Sequence, residues 1–328
     1  MKRNHYVRKP AWGRGSSRLF ARLSATLAPS AGDDDGVQGA PWRFWARMAF
    51  VGLLAAGAVY LSAAAVNILV LGTDDVEYAQ HTDTILLLHW RPLPPRLSLL
   101  SVPRDTQVLL PKRGLLKVNA VYAYGNVLNG QAYALAMTRS TLENLLGVKI
   151  NYVIHVRYSS FISLVDAMGG VPLYVPKRMQ YLDQAGGVNI DLAPGYQLLD
   201  GRQSLNYVRF RSDEDGDQGR MRRQQEFVKA FTLQVMGFTQ LPRTLRAFYL
   251  FMQQMETDLD MATAFFLALE MKSVTGTSWR QTILPGQTVY VQGLAYWQTD
   301  PRSVRETMQA LGHAPRPQAL PAPAPSPA

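Results

Sequence analysis

The stretch Met48–Val66, MAFVGLLAAGAVYLSAAAV, runs nineteen residues without a charge in a chain of 328. As a helix, at about 1.5 Å per residue, it covers roughly 28 Å, the hydrocarbon thickness of a bilayer. A helix apolar on every side needs lipid or a large core around it. Trp42, Arg43, Trp45 and Arg47 stand just before it, the aromatic and basic flank of a cytoplasmic interface. A cleaved signal peptide would carry a shorter apolar region much nearer Met1. The expectation is one retained transmembrane helix, with the N-terminus cytoplasmic and everything after Val66 outside.

That run divides the chain. Residues 1–47 hold nine Lys or Arg against three Asp, so +6 of the formal +10 charge sits there. They read as a disordered basic cytoplasmic tail. Residues 313–328, HAPRPQALPAPAPSPA, read as a Pro/Ala-rich tail. Between them, residues 67–312 are expected to form one extracytoplasmic domain. Because the basic excess is in the tail and no helix-turn-helix pattern is found, nucleic acid is not an expected partner. The chain has no cysteine, which excludes disulfide scaffolds, thiolate metal sites and cysteine nucleophiles.

Inside the domain, short apolar runs alternate with helical patterns. NILVLG (67–72), TILLLHW (84–90), LSLLSV (97–102), YVIHV (152–156) and VPLYV (171–175) have strand length and β-branched content. Helices are predicted over 131–146, 158–168, 201–208, 220–236, 245–256 and 261–271. One more is opened by Asp300-Pro301, an N-cap followed by proline in the first turn. The mixture predicts an α/β domain with a buried sheet. The first two strands are close enough in sequence to pair antiparallel.

Polar residues gather at the strand ends: GTDD (72–75), HTDT (81–84) and PRDT (103–106). Each alone would pass for turn chemistry, but strand ends also aim side chains at a common edge. RFRSDEDGDQGRMRR (209–223) adds nine charged residues in fifteen, five of them arginines. Arg209 and Arg211, two apart, would point the same way in extended backbone. Arg220, Arg223 and Gln224 would share a helix face. Guanidinium forks match phosphate oxygens, and Asp74, Asp83 and Asp105 offer hard oxygens to Mg²⁺. Arginines, carboxylates and Mg²⁺ together are the equipment of phosphoryl transfer. No Walker sequence, dinucleotide fingerprint, GxSxG or HExxH competes with this reading. His89 and His155 fall inside strand-like runs and read as structural.

Seven blocks occur in an order that resembles the LytR-CpsA-Psr family: NILVLGTDD, HTDTILLLH, LSLLSVPRDTQVLLP, KVNAVYAYG, FISLVDAMGGVPLYV, LLDGRQSLNYVRFR and GRMRRQQEFVKAF. The resemblance covers about Asn67 to Phe231. It implies an α/β/α layered domain around a mixed, mostly antiparallel sheet, with an apolar pocket for a lipid tail. It also implies a phosphotransferase that moves a glycopolymer from a polyprenyl-pyrophosphate carrier in the membrane onto peptidoglycan, assisted by Mg²⁺. Carried over by position, Asp74 and Asp83 would hold the metal, and Arg104, Arg209 and Arg211 the pyrophosphate. Arg220, Arg223 and Gln224 would close the phosphate site, and Asp105 would support Arg104 or accept a proton. The DEDGD stretch would be an exposed loop between two arginine-bearing elements.

Two positions depart from the family pattern. Val76 stands where an arginine is usual, and so does His81 at the start of the second strand. A neutral imidazole at 81 implies weaker phosphate affinity at neutral pH than an arginine would give. Two other readings use the same residues: a polyprenyl-pyrophosphate hydrolase, with water as acceptor, and a catalytically weak lipid-binding envelope protein.

Overall fold

The computed structural model describes residues 47–49, 65–74, 81–111, 113–183, 188–211, 215–235, 249–253, 255–271 and 278–313. The chain divides into two compact units, Met1–Ala55 and Ala56–Ala328. Of the first, residues 47–49 are described, and they are helical. Most of the expected transmembrane run, and the tails 1–46 and 314–328, lie outside the described residues. Among the described residues no helix is long and apolar enough to cross a membrane.

The second unit is built on a six-stranded sheet. Its strands are β1 (Val66–Thr73), β2 (Thr82–Arg91), β3 (Arg96–Ser101), β6 (Tyr152–Arg157), β11 (Glu256–Thr257) and β12 (Trp279–Ile283), in the order β11-β6-β1-β2-β3-β12. β2 runs antiparallel to both β1 and β3, and β11 antiparallel to β6, whereas β6 lies parallel to β1 and β12 parallel to β3. The sheet is therefore mixed, as its short β1–β2 connection requires. Apolar residues fill both of its faces, which is why β1 and β2 read as nearly unbroken hydrophobic runs.

Strand alternation sorts those residues into two cores. Leu69, Leu71, Ile85, Leu87 and Leu100 pack with helices α1 (Val118–Leu146) and α6 (Pro301–Leu311), through Val121, Leu142, Val304 and Met308. Ile68, Trp90 and Leu97 point the other way and pack with α5 (Met261–Met271), through Ala264 and Leu267. A third core joins α2 (Tyr158–Ala167), α3 (Gly201–Arg209) and α4 (Gly216–Val235) to β7 (Val171–Val175), β8 (Met179–Asp183), β9 (Val188–Leu192) and β10 (Gly195–Leu199). The layering is the expected α/β/α. Three hairpins had no counterpart in the sequence reading: β4 (Gln107–Leu110) with β5 (Gly114–Lys117), β8 with β9, and β13 (Gln287–Val291) with β14 (Leu294–Gln298).

Helix α1 begins at Val118, thirteen residues before the predicted start. Asn129 and Gly130 depart from helical backbone, so α1 is two helical pieces joined at a kink. The pieces touch at Gly125, where a Cβ would come within 2.7 Å of Ala134 Cα. Helix α3 opens on a capping box: Asp200 accepts from Gln203 N at 2.7 Å, and Gln203 accepts from Asp200 N at 3.0 Å. The Asp300 cap of α6 is present as predicted, accepting from Ser303 N.

His89 and His155 are buried in strands, as the sequence indicated. His313, placed in the C-terminal tail by the sequence reading, is instead buried against His89, with ring centroids 3.9 Å apart. Burial and the nearby Arg91 lower the His89 pKa to about 4. Burial and His89 lower that of His313 to about 3. Both imidazoles stay neutral in the fold while their unfolded counterparts titrate near 6.5, so below that pH the unfolded chain binds more protons. Stability should therefore fall as pH drops from about 6.5 toward 4, by on the order of 1 kcal/mol per histidine per pH unit. Thermal unfolding of wild type and His313→Gln across that range checks this: the variant should show the shallower decline.

Candidate phosphate-binding site

The site lies where β1 ends, β2 begins and β3 turns into β4. Thr73 pairs with Thr82 and Gly72 with Thr84, so Asp83 is the extra residue of a β-bulge. A bulge rotates its side chain out of the regular alternation. Here it frees the Asp83 carboxylate to meet Arg104. The fit is tight: a Cβ on Gly72 would lie 2.9 Å from Thr84 Cβ.

Arg104 and Asp105 form the turn after β3, which is clamped from three sides. Thr106 donates its amide and its hydroxyl to Pro103 O, at 2.9 and 2.5 Å. The amides of Val118 and Asn119, at the start of α1, donate to Thr106 O and Arg104 O. Trp297 N on β14 donates to Asp105 O at 2.8 Å. The turn's carbonyls thus satisfy helix-start N–H groups that would otherwise lack partners.

The side chains then form one charged cluster. Arg104 Nη1 sits 2.7 Å from Asp83 Oδ1, and its Nε lies 3.4 Å from Asp217 Oδ2. Asp217 Oδ1 also takes Arg211 Nε at 3.2 Å and Arg220 Nη2 at 3.5 Å. Asp105 pairs with Lys117 Nζ at 2.7 Å and lies 3.8 Å from Arg104 Nε. Arg209 stacks its guanidinium 4.7 Å above the Tyr158 ring. Burial pushes the Tyr158 hydroxyl above its usual pKa; Arg209 and Arg220 pull it down, while Asp83 and Asp74 push it up. Those influences place Tyr158 among both carboxylates and both arginines. Its hydroxyl stays protonated at neutral pH and is a hydrogen-bond donor.

Several expectations are refined or corrected. Arg209 and Arg211 are not on extended backbone: Arg209 is the last residue of α3, and Phe210 caps that helix. They reach the cluster by different routes. Asp217 is not in an exposed loop but in the first turn of α4, three residues before Arg220. Ser212, residues 213 and 214 of the DEDGD stretch, and Val76 lie outside the described residues. Arg223 is buried on the same helix as Arg220, but it donates to Phe210 O and stacks 5.2 Å from the Phe210 ring. It thereby fixes the backbone between Arg209 and Arg211. Gln224 donates to Thr84 Oγ1 at 2.9 Å and to Val208 O at 3.4 Å, tying the bulge to the end of α3. His81 is exposed, two residues before Asp83.

Behind Asp74 lies a buried polar chain that the sequence reading did not connect. Thr73 Oγ1 lies 2.9 Å from His155 Nε2, and His155 Nδ1 lies 2.6 Å from Glu256 Oε2. His155 thus bridges β1 to β11 and holds the residue next to Asp74.

Arg220 is the most telling cation. Only 10% of its side chain is exposed, and its Nε is buried without a hydrogen-bond partner. Burial lowers its pKa, as do the neighbouring Arg104 and Arg211, against the opposing pull of Asp217 and Asp83. A buried guanidinium compensated this thinly gains most from an incoming anion. Among the described residues no three His, Asp or Glu are grouped to hold a metal. Asp74 and Asp83, at adjacent ends of paired strands, do fit Mg²⁺, which uses one or two carboxylates and takes its other oxygens from water and phosphate.

Asp217 and Tyr158 are the residues that sequence reasoning missed. Asp217 had a signal in its spacing of three from Arg220. Asp217→Asn removes a negative charge, so simple electrostatics would tighten binding of inorganic pyrophosphate. If the carboxylate's work is to gather arginines, binding should instead weaken by about tenfold or more. Calorimetric titration distinguishes the two.

The LytR_cpsA_psr family model matches residues 56–313. A polyisoprenyl-teichoic acid–peptidoglycan teichoic acid transferase, TagU, from Oceanobacillus iheyensis is 33% identical over 205 residues, 62% of each chain. The Staphylococcus aureus regulatory protein MsrR is 31% identical over 176 residues, 53% of this chain and 50% of its own. The chain thus spans one half to six-tenths of the length of these relatives. Among solved structures, Bacillus subtilis TagV superposes with a TM-score of 0.65 at 22% identity, covering 76% of this chain and 96% of that one. TagT bound to LIIa-WTA gives 0.62 at 23% identity, covering 76% and 91%.

Proposed function

The chain belongs to the LytR-CpsA-Psr family, and on that premise we propose that it is a membrane-anchored phosphotransferase, moving a glycopolymer from a polyprenyl-pyrophosphate carrier onto a peptidoglycan hydroxyl. The observation that carries the proposal is the convergence of Arg104, Arg211 and Arg220 on Asp217, next to Asp83. Residues more than a hundred positions apart gather their guanidiniums in one place. Asp217 offsets their mutual repulsion without exhausting their charge, which leaves the cluster suited to an anion with several oxygens. The activity in TagU's name supports the choice of substrate.

In the proposed reaction an acceptor hydroxyl attacks the sugar-proximal phosphorus of the diphosphate. The new P–O bond forms as the bond to the bridging oxygen breaks, and polyprenyl phosphate leaves, its released phosphate oxygen taking up the proton that the hydroxyl loses. Arg104, Arg211 and Arg220 neutralise charge that grows on the phosphate oxygens, a contribution that is typically the largest in such chemistry. Arg209 and the Tyr158 hydroxyl line the same space and orient the substrate. Asp74 and Asp83 are the carboxylates that would hold Mg²⁺, which supplies further positive charge at the phosphates. Asp105, held by Lys117, acts as a support for Arg104. His81, exposed two residues before Asp83, occupies a position where the family usually has a cation.

Arg220→Ala should cost on the order of 10²–10³ in turnover. Release of radiolabelled polyprenyl phosphate, with and without peptidoglycan, tests the reaction class. Transfer of label to the wall material is the expected outcome, and equal release without acceptor would instead show a hydrolase. In the same assay His81→Arg should raise turnover or lower the KM for the lipid carrier. Unchanged kinetics would show that position 81 does not face the phosphates.

A further inference from the structure

At the opposite end of the sheet from the charged site, the β2–β3 turn reads Trp90-Arg91-Pro92-Leu93-Pro94-Pro95-Arg96. Arg91 and Arg96 face each other across the hairpin, and Arg280 lies on β12, the strand beside β3. Burial lowers the pKa of Arg96, and the nearby Arg280 and Arg91 lower it further. Among the described residues no carboxylate stands within ion-pair distance of any of them. Exposed Lys149 is at the same end, its carbonyl accepting from Asn67 near the start of β1. Between the hairpin arginines Leu93 is 73% exposed, next to an exposed Pro94.

Arg280 donates to Ala310 O in the last turn of α6 at 2.9 Å, which offsets part of its charge. Arg91 and Arg96, held together without a carboxylate around an apolar tip, remain a cost to the folded chain alone. The combination suits a surface that is anionic outside and apolar beneath. Chain connectivity shows which one. The uncharged run Met48–Val66 ends on the first residue of β1, and Val66 pairs with Trp90, the neighbour of Arg91. A chain leaving a bilayer through that run enters the sheet beside this turn.

We infer that the β2–β3 turn is a membrane-docking surface: Leu93 enters the interface while Arg91, Arg96 and Arg280 take the phosphates of anionic phospholipids. The inference rests on the membrane-anchored reading above. Each arginine at an anionic surface contributes roughly a fivefold preference, weakened by salt. Docking gives the domain a second point of attachment to the membrane and so fixes its orientation there.

Because the chain lacks cysteine, Leu93→Cys accepts a single environment-sensitive dye without further changes. Leu109→Cys, exposed on β4 at the site end, is the control. The full-length chain is reconstituted into vesicles of phosphatidylcholine alone or with 30% phosphatidylglycerol (about one lipid in three, enough to set a negative surface potential). Vesicle flotation reports the anchor, and dye emission with quenching by brominated lipid reports the turn. The expected result is flotation with both vesicle types. Position 93 should be blue-shifted and quenched only with phosphatidylglycerol, and position 109 in neither. Arg96→Gln with Arg280→Gln should remove the shift while flotation persists.

A floated protein whose residue-93 dye stays in water overturns the docking surface and leaves the anchor reading intact. A shift produced by soluble polyphosphate and not by vesicles also overturns it, reassigning the patch to a polyanion. Failure to float on neutral vesicles overturns the anchor. In that case the dye on phosphatidylglycerol vesicles still reads the turn directly, a shift supporting docking and no shift refuting it.

Discussion

The Asp217 carboxylate is what allows three guanidiniums to share one small volume. Its two oxygens face Arg104, Arg211 and Arg220, which arrive from a β-turn, a helix exit and the carboxylate's own helix. Separated guanidiniums would each be well solvated, and crowded ones repel by several kcal/mol at the effective dielectric of a protein surface. One anion between three cations reverses the sign of that energy but does not exhaust it. The cluster stays hungry for negative charge, most of all at Arg220, where burial has removed the competing water. The affinity for a diphosphate that we propose would follow from that imbalance more than from any single contact.

Holding the imbalance in place falls to backbone and to neutral side chains. The bulge at Asp83, the clamped turn at Arg104 and the capped exit of α3 each set one charged residue. Gln224 links the bulge to the exit of α3, and Arg223 fixes that same exit through the Phe210 carbonyl. Arg220 and Arg223 therefore differ in role although they lie one turn apart. Arg220 faces the Asp217 carboxylate, whereas Arg223 donates to the backbone at Phe210.

Strands β1, β2, β3 and β6 of the central sheet were legible because they are buried on both faces and so are written as continuous apolar runs. The edge strands β11 and β12 were not, and Glu256, the first residue of β11, ends a stretch expected to be helical. The helices α2, α3 and α5 were legible from apolar spacing within a residue or two. The start of α1 was not. Its first turns carry Tyr122, Tyr124 and Asn126 across a kink at Asn129–Gly130, and no single 3.6-residue period spans both pieces. The hairpins β4–β5, β8–β9 and β13–β14 were missed because two-stranded pieces of four or five residues leave little alternation to read. In the site, every arginine singled out by sequence is present in or against the cluster. What failed was local geometry: i, i+2 spacing told nothing of Arg209 and Arg211, because a helix ends between them. Asp217 was hidden inside an acidic run that looked like solvent chemistry.

The direction of β2 has one more implication. The strand carries Asp83 at its beginning and Arg91 at its end, ten residues in all, which at about 3.3 Å each is roughly 30 Å. If the Arg91 end rests on the bilayer, the charged cluster stands far above the headgroup plane in which a lipid-linked diphosphate normally floats. The proposed carrier would then have to be hoisted, with much of its hydrocarbon drawn out of the membrane. That ascent is tolerable only along a dry path, and the apolar layer of Trp90, Leu97 and Leu267 beside the sheet is where to look for one.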